Sequence, residues 1–147
     1  MRGNYVFFDA DDGWNGGMGF AVYSGQTGIK LLEDAYVKSL SALRLEGERL
    51  HLQYMRMYQA PCSLYADTGD CWAKVKEATA LGTPPDCTAA YTKHPKQKAA
   101  NLPADNEDND ISGVASYLDY EVEVTVEHGQ APRIIPSGGK ITCHISE

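Results

Sequence analysis

The segment 120–127 alternates apolar and polar side chains without a break, and this pattern constrains the fold more than any other feature of the sequence. Successive side chains of a β-strand point to opposite faces of a sheet, whereas a helix repeats its apolar positions every three or four residues. The sequence therefore predicts a strand with one buried and one exposed face. The buried set is Tyr120, Val122, Val124 and Val126, and the exposed set is Glu121, Glu123 and Glu127.

Shorter apolar runs recur along the chain, separated by segments rich in Gly, Asp and Asn. They cover residues 5–8, 20–23, 29–32 and 141–145. In the last run, Cys143 alternates in phase with Ile141 and Ile145, so we expect its side chain to face the core. A series of short strands joined by turns is typical of antiparallel meanders and hairpins.

A further hairpin is predicted around Gly47. In its second arm, the side chains of Leu50, Leu52, Tyr54 and Tyr58 fall at even positions on one face, which is the period of a strand. The first arm, residues 36–46, stays open between strand and helix, because Leu40 and Leu43 have the spacing of a helix.

Two short helices are predicted in the middle of the chain. Asp70 can cap the first, over residues 71–81, and Gly82 can end it in the left-handed conformation. Asp86 can cap a second, shorter helix that follows two prolines.

The expected fold class is therefore α+β, mainly antiparallel β in meanders or hairpins, with a short disulfide-linked helical insert around residues 70–92. A length of 147 residues is close to the commonest domain size, so we expect one domain over residues 1–147. Residues 94–113 lose the apolar periodicity and gather acids, which predicts a mobile acidic loop.

The chain has four cysteines and no CxxC pair. We expect two disulfides formed by Cys62, Cys71, Cys87 and Cys143. The preferred pairing joins Cys71 to Cys87, within the helical insert, and Cys62 to Cys143. Free buried thiols are one alternative, and a zinc site that recruits His94 or His144 is another, although structural zinc usually takes a close ligand pair. We expect no metal and no cofactor.

Acidic residues outnumber basic ones by 20 to 13, which gives a formal charge of −7. The resulting field repels polyanions, so we expect no nucleic-acid partner. No segment of the sequence approaches the roughly 20 apolar residues of a membrane-spanning helix. Because disulfides persist in oxidising compartments, we expect a periplasmic or secreted protein whose leader has been removed.

Several motifs suggest catalysis or ion binding but lack the necessary spacing. The acids in residues 9–13 do not fill the ligand positions of an EF-hand loop. The glycines in residues 13–19 lead into a strand, whereas a phosphate-binding loop opens a helix. His51 and His144 fall on the outward faces of strands and belong to no nucleophile motif. The sequence therefore identifies no catalytic residue.

The residues predicted to bind a partner are an indole among glycines and two groups of acids. An indole in such a turn has little local core to bury in, so it is a candidate anchor. The acids would steer a basic partner towards the protein. The set is Trp14, Asp11, Asp12, Asp105, Glu107, Asp108 and Asp110.

We therefore expect a non-enzymatic, extracytoplasmic binding protein of inhibitor or immunity type that engages a basic protein. One alternative is a small envelope hydrolase or carbohydrate-active protein whose site is assembled only by folding. Another is a structural component of the cell envelope. A deep polar pocket would favour the enzyme, and a flat acidic or Trp-centred patch would favour binding. The oligomeric state stays open.

Overall fold

The computed structural model describes residues 4–9, 17–93 and 112–145. Its elements are β1 (Tyr5–Asp9), β2 (Gly17–Ser24), β3 (Lys30–Glu46), β4 (Arg49–Gln59), α1 (Thr68–Thr79), α2 (Thr88–Lys93), β5 (Ser116–Val126), β6 (Arg133–Pro136) and β7 (Thr142–Ile145). In this described part the strands form one seven-stranded sheet in the order β1-β2-β3-β4-β5-β6, and β7 pairs with β5. The predicted class, mainly antiparallel β in a meander with a disulfide-linked helical insert, is confirmed.

The chain divides into two compact units. Unit 1 contains Met1–Met57 and Asp119–Lys140, and unit 2 contains Tyr58–Leu118 and Ile141–Glu147. The expected single domain stays a prediction. Most of the acidic loop predicted at residues 94–113 lies outside the described ranges.

The alternation predicted for β5 is present in unit 1. Tyr120, Val122, Val124 and Val126 are each at most 2% exposed, and Glu121 and Glu123 are exposed. Glu127 was expected to be exposed as well, but its side chain is only 25% exposed. The reason is an ion pair, because the Arg49 guanidinium donates to the Glu127 carboxylate and covers it.

The β3–β4 hairpin turns at Gly47, whose φ of 62° lies in the left-handed region that favours glycine. β3 is a strand throughout, so the helical alternative for its residues is wrong. The register shifts between Leu40 and Ala42, and the extra residue of this bulge puts both Leu40 and Leu43 on the same face of the sheet. The bulge therefore explains the helix-like spacing.

Tyr5 connects β1 to the β3–β4 turn and to the last residue of β5. Its hydroxyl donates to the carbonyl of Glu48 and lies 3.2 Å from the carbonyl of Val126. Its ring stacks on His128, with centroids 4.7 Å apart. Tyr5 is 3% exposed, so β1 begins with a side chain that is locked into the unit 1 core.

In unit 2, α1 begins and ends earlier than predicted. Asp67, rather than Asp70, supplies the capping carboxylate, which accepts from the backbone N–H of Asp70. Ala80, rather than Gly82, takes the left-handed conformation that ends the helix, with φ 62°. The prediction for the second helix is closer, since the Asp86 carboxylate accepts from the N–H of Thr88 at 3.0 Å.

All four cysteines form disulfides, as predicted, but the preferred pairing was wrong. The bonds join Cys62 to Cys71 and Cys87 to Cys143, with Cα–Cα distances of 5.7 and 5.3 Å. The cap at Asp67 places Cys71 in the first turn of α1, beside the segment that carries Cys62. At 1.5 Å per residue the helix then carries the chain about 12 Å away from Cys71 before it turns. Cys87 follows that turn and meets β7 instead.

Candidate functional site

The residues predicted to bind a partner all lie outside the described ranges. Asp11, Asp12 and Trp14 belong to the segment that links β1 to β2. The others belong to the segment that links α2 to β5, and they are Asp105, Glu107, Asp108 and Asp110. Their role stays a prediction, and the candidate sites below are built from described residues of unit 1.

The outward face of β1, β2 and β3 carries an exposed aromatic residue. Phe8, Ala21 and Glu33 lie opposite one another on the three strands. Phe20 and Leu32, which precede Ala21 and Glu33, are each 3% exposed. Because side chains alternate along a strand, the row formed by Phe8, Ala21 and Glu33 points away from the unit 1 core.

Small side chains leave a depression in this row. Gly19 and Ala21 lie on β2 between Phe8 and Glu33, and neither fills the space above the sheet. The depression has a volume of about 290 Å³. It is lined by Phe8, Asp9, Gly19, Phe20, Ala21, Glu33 and Asp34. We refer to Phe8, Gly19, Ala21, Tyr23 and Glu33 together as the Phe8 surface.

The Phe8 ring gives this surface its apolar character. Phe8 is 58% exposed, and its ring meets Tyr23 edge to face, with centroids 5.5 Å apart and planes at 87°. Val6 lies opposite Tyr23 on the same face and is half-buried. Covering apolar area contributes about 25 cal/mol per Å². A partner that covers Phe8 therefore gains a hydrophobic anchor.

The carboxylate on the Phe8 surface is that of Glu33. Glu33, whose side chain is 66% exposed, binds the Lys30 ammonium, and this hydrogen bond raises the pKa of Lys30. Asp9 follows Phe8 and pairs with the buried Phe20, so its side chain points to the opposite face of the sheet. There its carboxylate accepts a hydrogen bond of 2.7 Å from the Tyr36 hydroxyl. Burial and then this bond raise the pKa of Tyr36 to about 12. Since exposed ion pairs are weak, a cation from a partner can replace Lys30 at Glu33.

A second depression, of about 140 Å³, lies on the outward side of β3, β4 and β5 in unit 1. We call it the His51 groove, and it is lined by Ala42, Arg44, His51, Leu52, Gln53, Glu123, Val124 and Thr125. His51 Nδ1 lies 3.5 Å from Thr125 Oγ1. His51 Nε2 lies 3.3 Å from Glu46 Oε2, without the geometry of a hydrogen bond. The groove thus places an imidazole between a hydroxyl and a carboxylate.

The His51 groove has polar groups of both signs. The Arg44 guanidinium lies 3.5 Å from the Glu46 carboxylate, and Glu123 adds a second carboxylate to the wall. His51 was expected at an exposed position, but its side chain is only 27% exposed. Such a groove can bind a small polar ligand or move a proton between the hydroxyl and the imidazole.

The third grouping is a polar cluster on the buried side of unit 1. Asp34 accepts from Arg56 Nε, with distances of 2.9 Å to Oδ2 and 3.0 Å to Oδ1, and from the Tyr54 hydroxyl at 2.5 Å. Arg56 also donates to the Tyr120 hydroxyl at 2.9 Å. Burial and the nearby Asp34 carboxylate raise the pKa of Tyr54. The polar groups of this cluster form hydrogen bonds with one another, so we assign the cluster a stabilising role rather than a binding role.

Sequence reasoning missed both outward sites. It assigned residues 5–8 to one apolar run, although adjacent Phe7 and Phe8 cannot both face the core of a one-sided sheet. The alternation of side chains along a strand could therefore have identified Phe8 as an outward-facing residue. For His51 no local signal exists, because Thr125 comes into contact with it only through strand pairing.

Within residues 4–9, 17–93 and 112–145, no group of three or more His, Cys, Asp or Glu side chains is placed to hold a metal ion. None of the helices in these ranges is long and apolar enough to cross a membrane. Comparison with protein-family models, with curated proteins and with solved structures found no match.

Proposed function

We propose that this chain is an extracytoplasmic binding protein of inhibitor or immunity type and that its partner is a basic protein. The observation that carries the proposal is the exposed Phe8 ring in one cross-strand row with the Glu33 carboxylate. An aromatic anchor next to negative charge suits a partner surface rich in Lys and Arg. The net charge of −7 supports the same partner at long range, because it steers a basic protein towards the chain.

The geometry of the Phe8 surface also supports binding. Its side chains stand on three strands, of which β2 is paired with β1 over residues 5–9 and with β3 over residues 17–22 before a register shift at Tyr23. A surface that is already ordered loses little conformational entropy when a partner binds. An inhibitor that occupies another protein's surface benefits from this preorganisation.

The two disulfides support the extracytoplasmic part of the proposal. Both lie in unit 2 and use all four cysteines of the chain. Disulfides form and persist in secreted and periplasmic proteins and are rare in the reducing cytosol. As part of the same proposal, we assign the protein to the periplasm or to the extracellular space.

The experiment is affinity capture from the extracytoplasmic fraction of the source cells, followed by association kinetics at increasing ionic strength. We expect a basic partner whose association slows with salt, because the Debye length falls to about 8 Å at physiological ionic strength. Phe8→Ala should chiefly speed dissociation, since a buried anchor acts on the off-rate. A neutral or acidic partner that associates independently of salt would contradict the proposal.

The His51 groove favours a second candidate function, that of a small envelope hydrolase or carbohydrate-active protein. His51 Nδ1 lies 3.5 Å from the Thr125 hydroxyl, and a small approach would bring it to the roughly 2.6–3.2 Å at which a general base removes a proton. Chromogenic esters and glycosides test this candidate. Turnover that disappears in a folded His51→Gln variant would establish it, and equal background rates in both proteins would reject it for those substrates.

A further inference from the structure

We infer that the Phe8 surface receives one Arg or Lys side chain of the basic partner, an inference that rests on the binding function proposed above. The aliphatic stem of that side chain lies over Gly19 and Ala21. Its charged end meets the Phe8 ring and the Glu33 carboxylate. Each of these three contacts follows from a separate feature of the depression.

The floor of the depression suits an aliphatic stem. Gly19 and Ala21 present little more than backbone and one methyl group between Phe8 and Glu33. Arg and Lys cover apolar surface with their methylene groups while the charged end stays at the water boundary. Sites for drug-sized ligands measure roughly 300–1,000 Å³. The depression, at about 290 Å³, is at the lower end of this range and has room for one long side chain.

The Phe8 ring forms the aromatic wall. A cation within about 6 Å of a ring centroid is attracted by the negative charge of the ring face. The ring is accessible, since Phe8 is 58% exposed, and the edge-to-face contact with Tyr23 supports it on one side. A partner's cation can approach this ring without any rearrangement of the strand.

Glu33 supplies the opposite charge. It lies in the same cross-strand row as Phe8, and its carboxylate forms an ion pair with the Lys30 ammonium. A guanidinium can bind a carboxylate through two parallel hydrogen bonds, whereas an ammonium binds it as a point charge. An incoming Arg therefore displaces Lys30 into solvent, and Arg is favoured over Lys.

Charge complementarity selects this occupant over the alternatives. An acidic or phosphorylated ligand would meet the Glu33 carboxylate on the same face as Phe8. A second copy of this chain would bring another net charge of −7 to the interface. Like charges brought together at an interface oppose association, so a basic protein is the partner that the site fits.

The test uses the complete chain and a hexa-arginine peptide with blocked ends, with dissociation constants measured at low salt. Phe8→Leu keeps an apolar side chain but removes the ring, and we expect binding to weaken roughly two- to fivefold, as for an exposed cation–π contact. Ala21→Leu fills the floor and should weaken binding as well. Circular dichroism of each variant confirms that the fold is retained.

Two charge changes have matched controls. Glu33→Gln should weaken binding, whereas Glu123→Gln, which removes the same charge from the His51 groove, should weaken it much less. Lys30→Gln removes the competing ammonium and should tighten binding, whereas Lys140→Gln, an equal change of net charge, should have a smaller effect.

The possible outcomes distinguish a failure of the proposed site from a failure of the proposed function. Losses for Phe8→Leu, Ala21→Leu and Glu33→Gln that exceed the effect of Glu123→Gln support the site. Equal losses for Glu33→Gln and Glu123→Gln would overturn it but leave a basic partner in place, because binding would then follow net charge alone. If neither the peptide nor any basic protein binds the wild-type chain, the proposed function fails together with the site.

Discussion

Arg56 donates to Asp34 inside unit 1, with its Nε 2.9 Å from Asp34 Oδ2. The two side chains are 16% and 7% exposed, and the hydroxyls of Tyr54 and Tyr120 complete their hydrogen bonds. This cluster joins β3, β4 and β5 through side chains on their buried face. Since Glu33 precedes Asp34 in β3, the cluster also fixes the part of the strand that presents Glu33 on the opposite face.

Asp34→Asn should lower the free energy of unfolding by about 3–5 kcal/mol, because it leaves the Arg56 charge buried and uncompensated. Urea unfolding measures the change. The double variant Asp34→Leu with Arg56→Met removes both charges and should recover much of the loss. A loss below about 1 kcal/mol for Asp34→Asn would show that the ion pair is not buried as described.

The raised pKa of Tyr36 predicts a loss of stability at alkaline pH. Its pKa is about 12 in the folded chain and takes the ordinary value of 10.0 once the chain unfolds. Between these values the unfolded chain releases the proton and the folded chain keeps it, so the free energy of unfolding falls as pH rises from 10 to about 12. The contribution of Tyr36 is complete below pH 10.

Denaturant unfolding across this pH window, with Tyr36→Phe as the matched variant, tests the alkaline effect. The variant should lose less stability than the wild type over the window, because it has no proton to release there. The difference between the two proteins should be constant at neutral pH. The same alkaline loss in both would show that Tyr36 does not retain its proton on folding.

The two disulfides should differ in their effect on stability. On the chain-entropy model, the 9-residue separation of Cys62–Cys71 is worth about 2.5 kcal/mol and the 56-residue separation of Cys87–Cys143 about 4 kcal/mol. Replacing each pair by Ala and measuring unfolding should reproduce this order. Peptide mapping of the oxidised protein checks the pairing itself, and a peptide that links Cys71 to Cys87 would contradict it.

The alternation in β5 predicts opposite results for two neighbouring positions. Val124 is 1% exposed, so Val124→Asp buries a charge without a partner and should cost more than about 3 kcal/mol. Glu123 faces solvent, and Glu123→Gln should change stability by less than about 0.5 kcal/mol. Equal melting temperatures for the two variants would refute the orientation of the strand.

The sequence predicted those features that depend on local pattern. β5 could be predicted because Tyr120 to Val126 alternate strictly, and the turn at Gly47 because its backbone conformation favours glycine. The bulge near Leu40 could not be predicted, since it is defined only by pairing with β4. The disulfide partners could not be predicted, since they depend on which segments the fold brings next to Cys71 and Cys143.

The place of the candidate site could not be predicted from the sequence. The net charge of −7 led us to expect a basic partner, which stays a prediction, and two adjacent phenylalanines required one of them to face outward. The depression, however, exists because Ala21 lies between Phe8 and Glu33 in the paired strands, and that register is a tertiary property. A one-dimensional pattern contains no information about it.

The most direct measurement is an amide NMR titration of the wild-type chain with the blocked hexa-arginine peptide. We expect the largest shifts at the resonances of Phe8, Ala21, Tyr23 and Glu33, and we expect raised salt concentration to reduce them. His51 and Thr125, on the same unit, serve as the internal control and should move much less. Shifts centred on the His51 groove, or no shifts at millimolar peptide, would rule out binding of a basic ligand at the Phe8 surface.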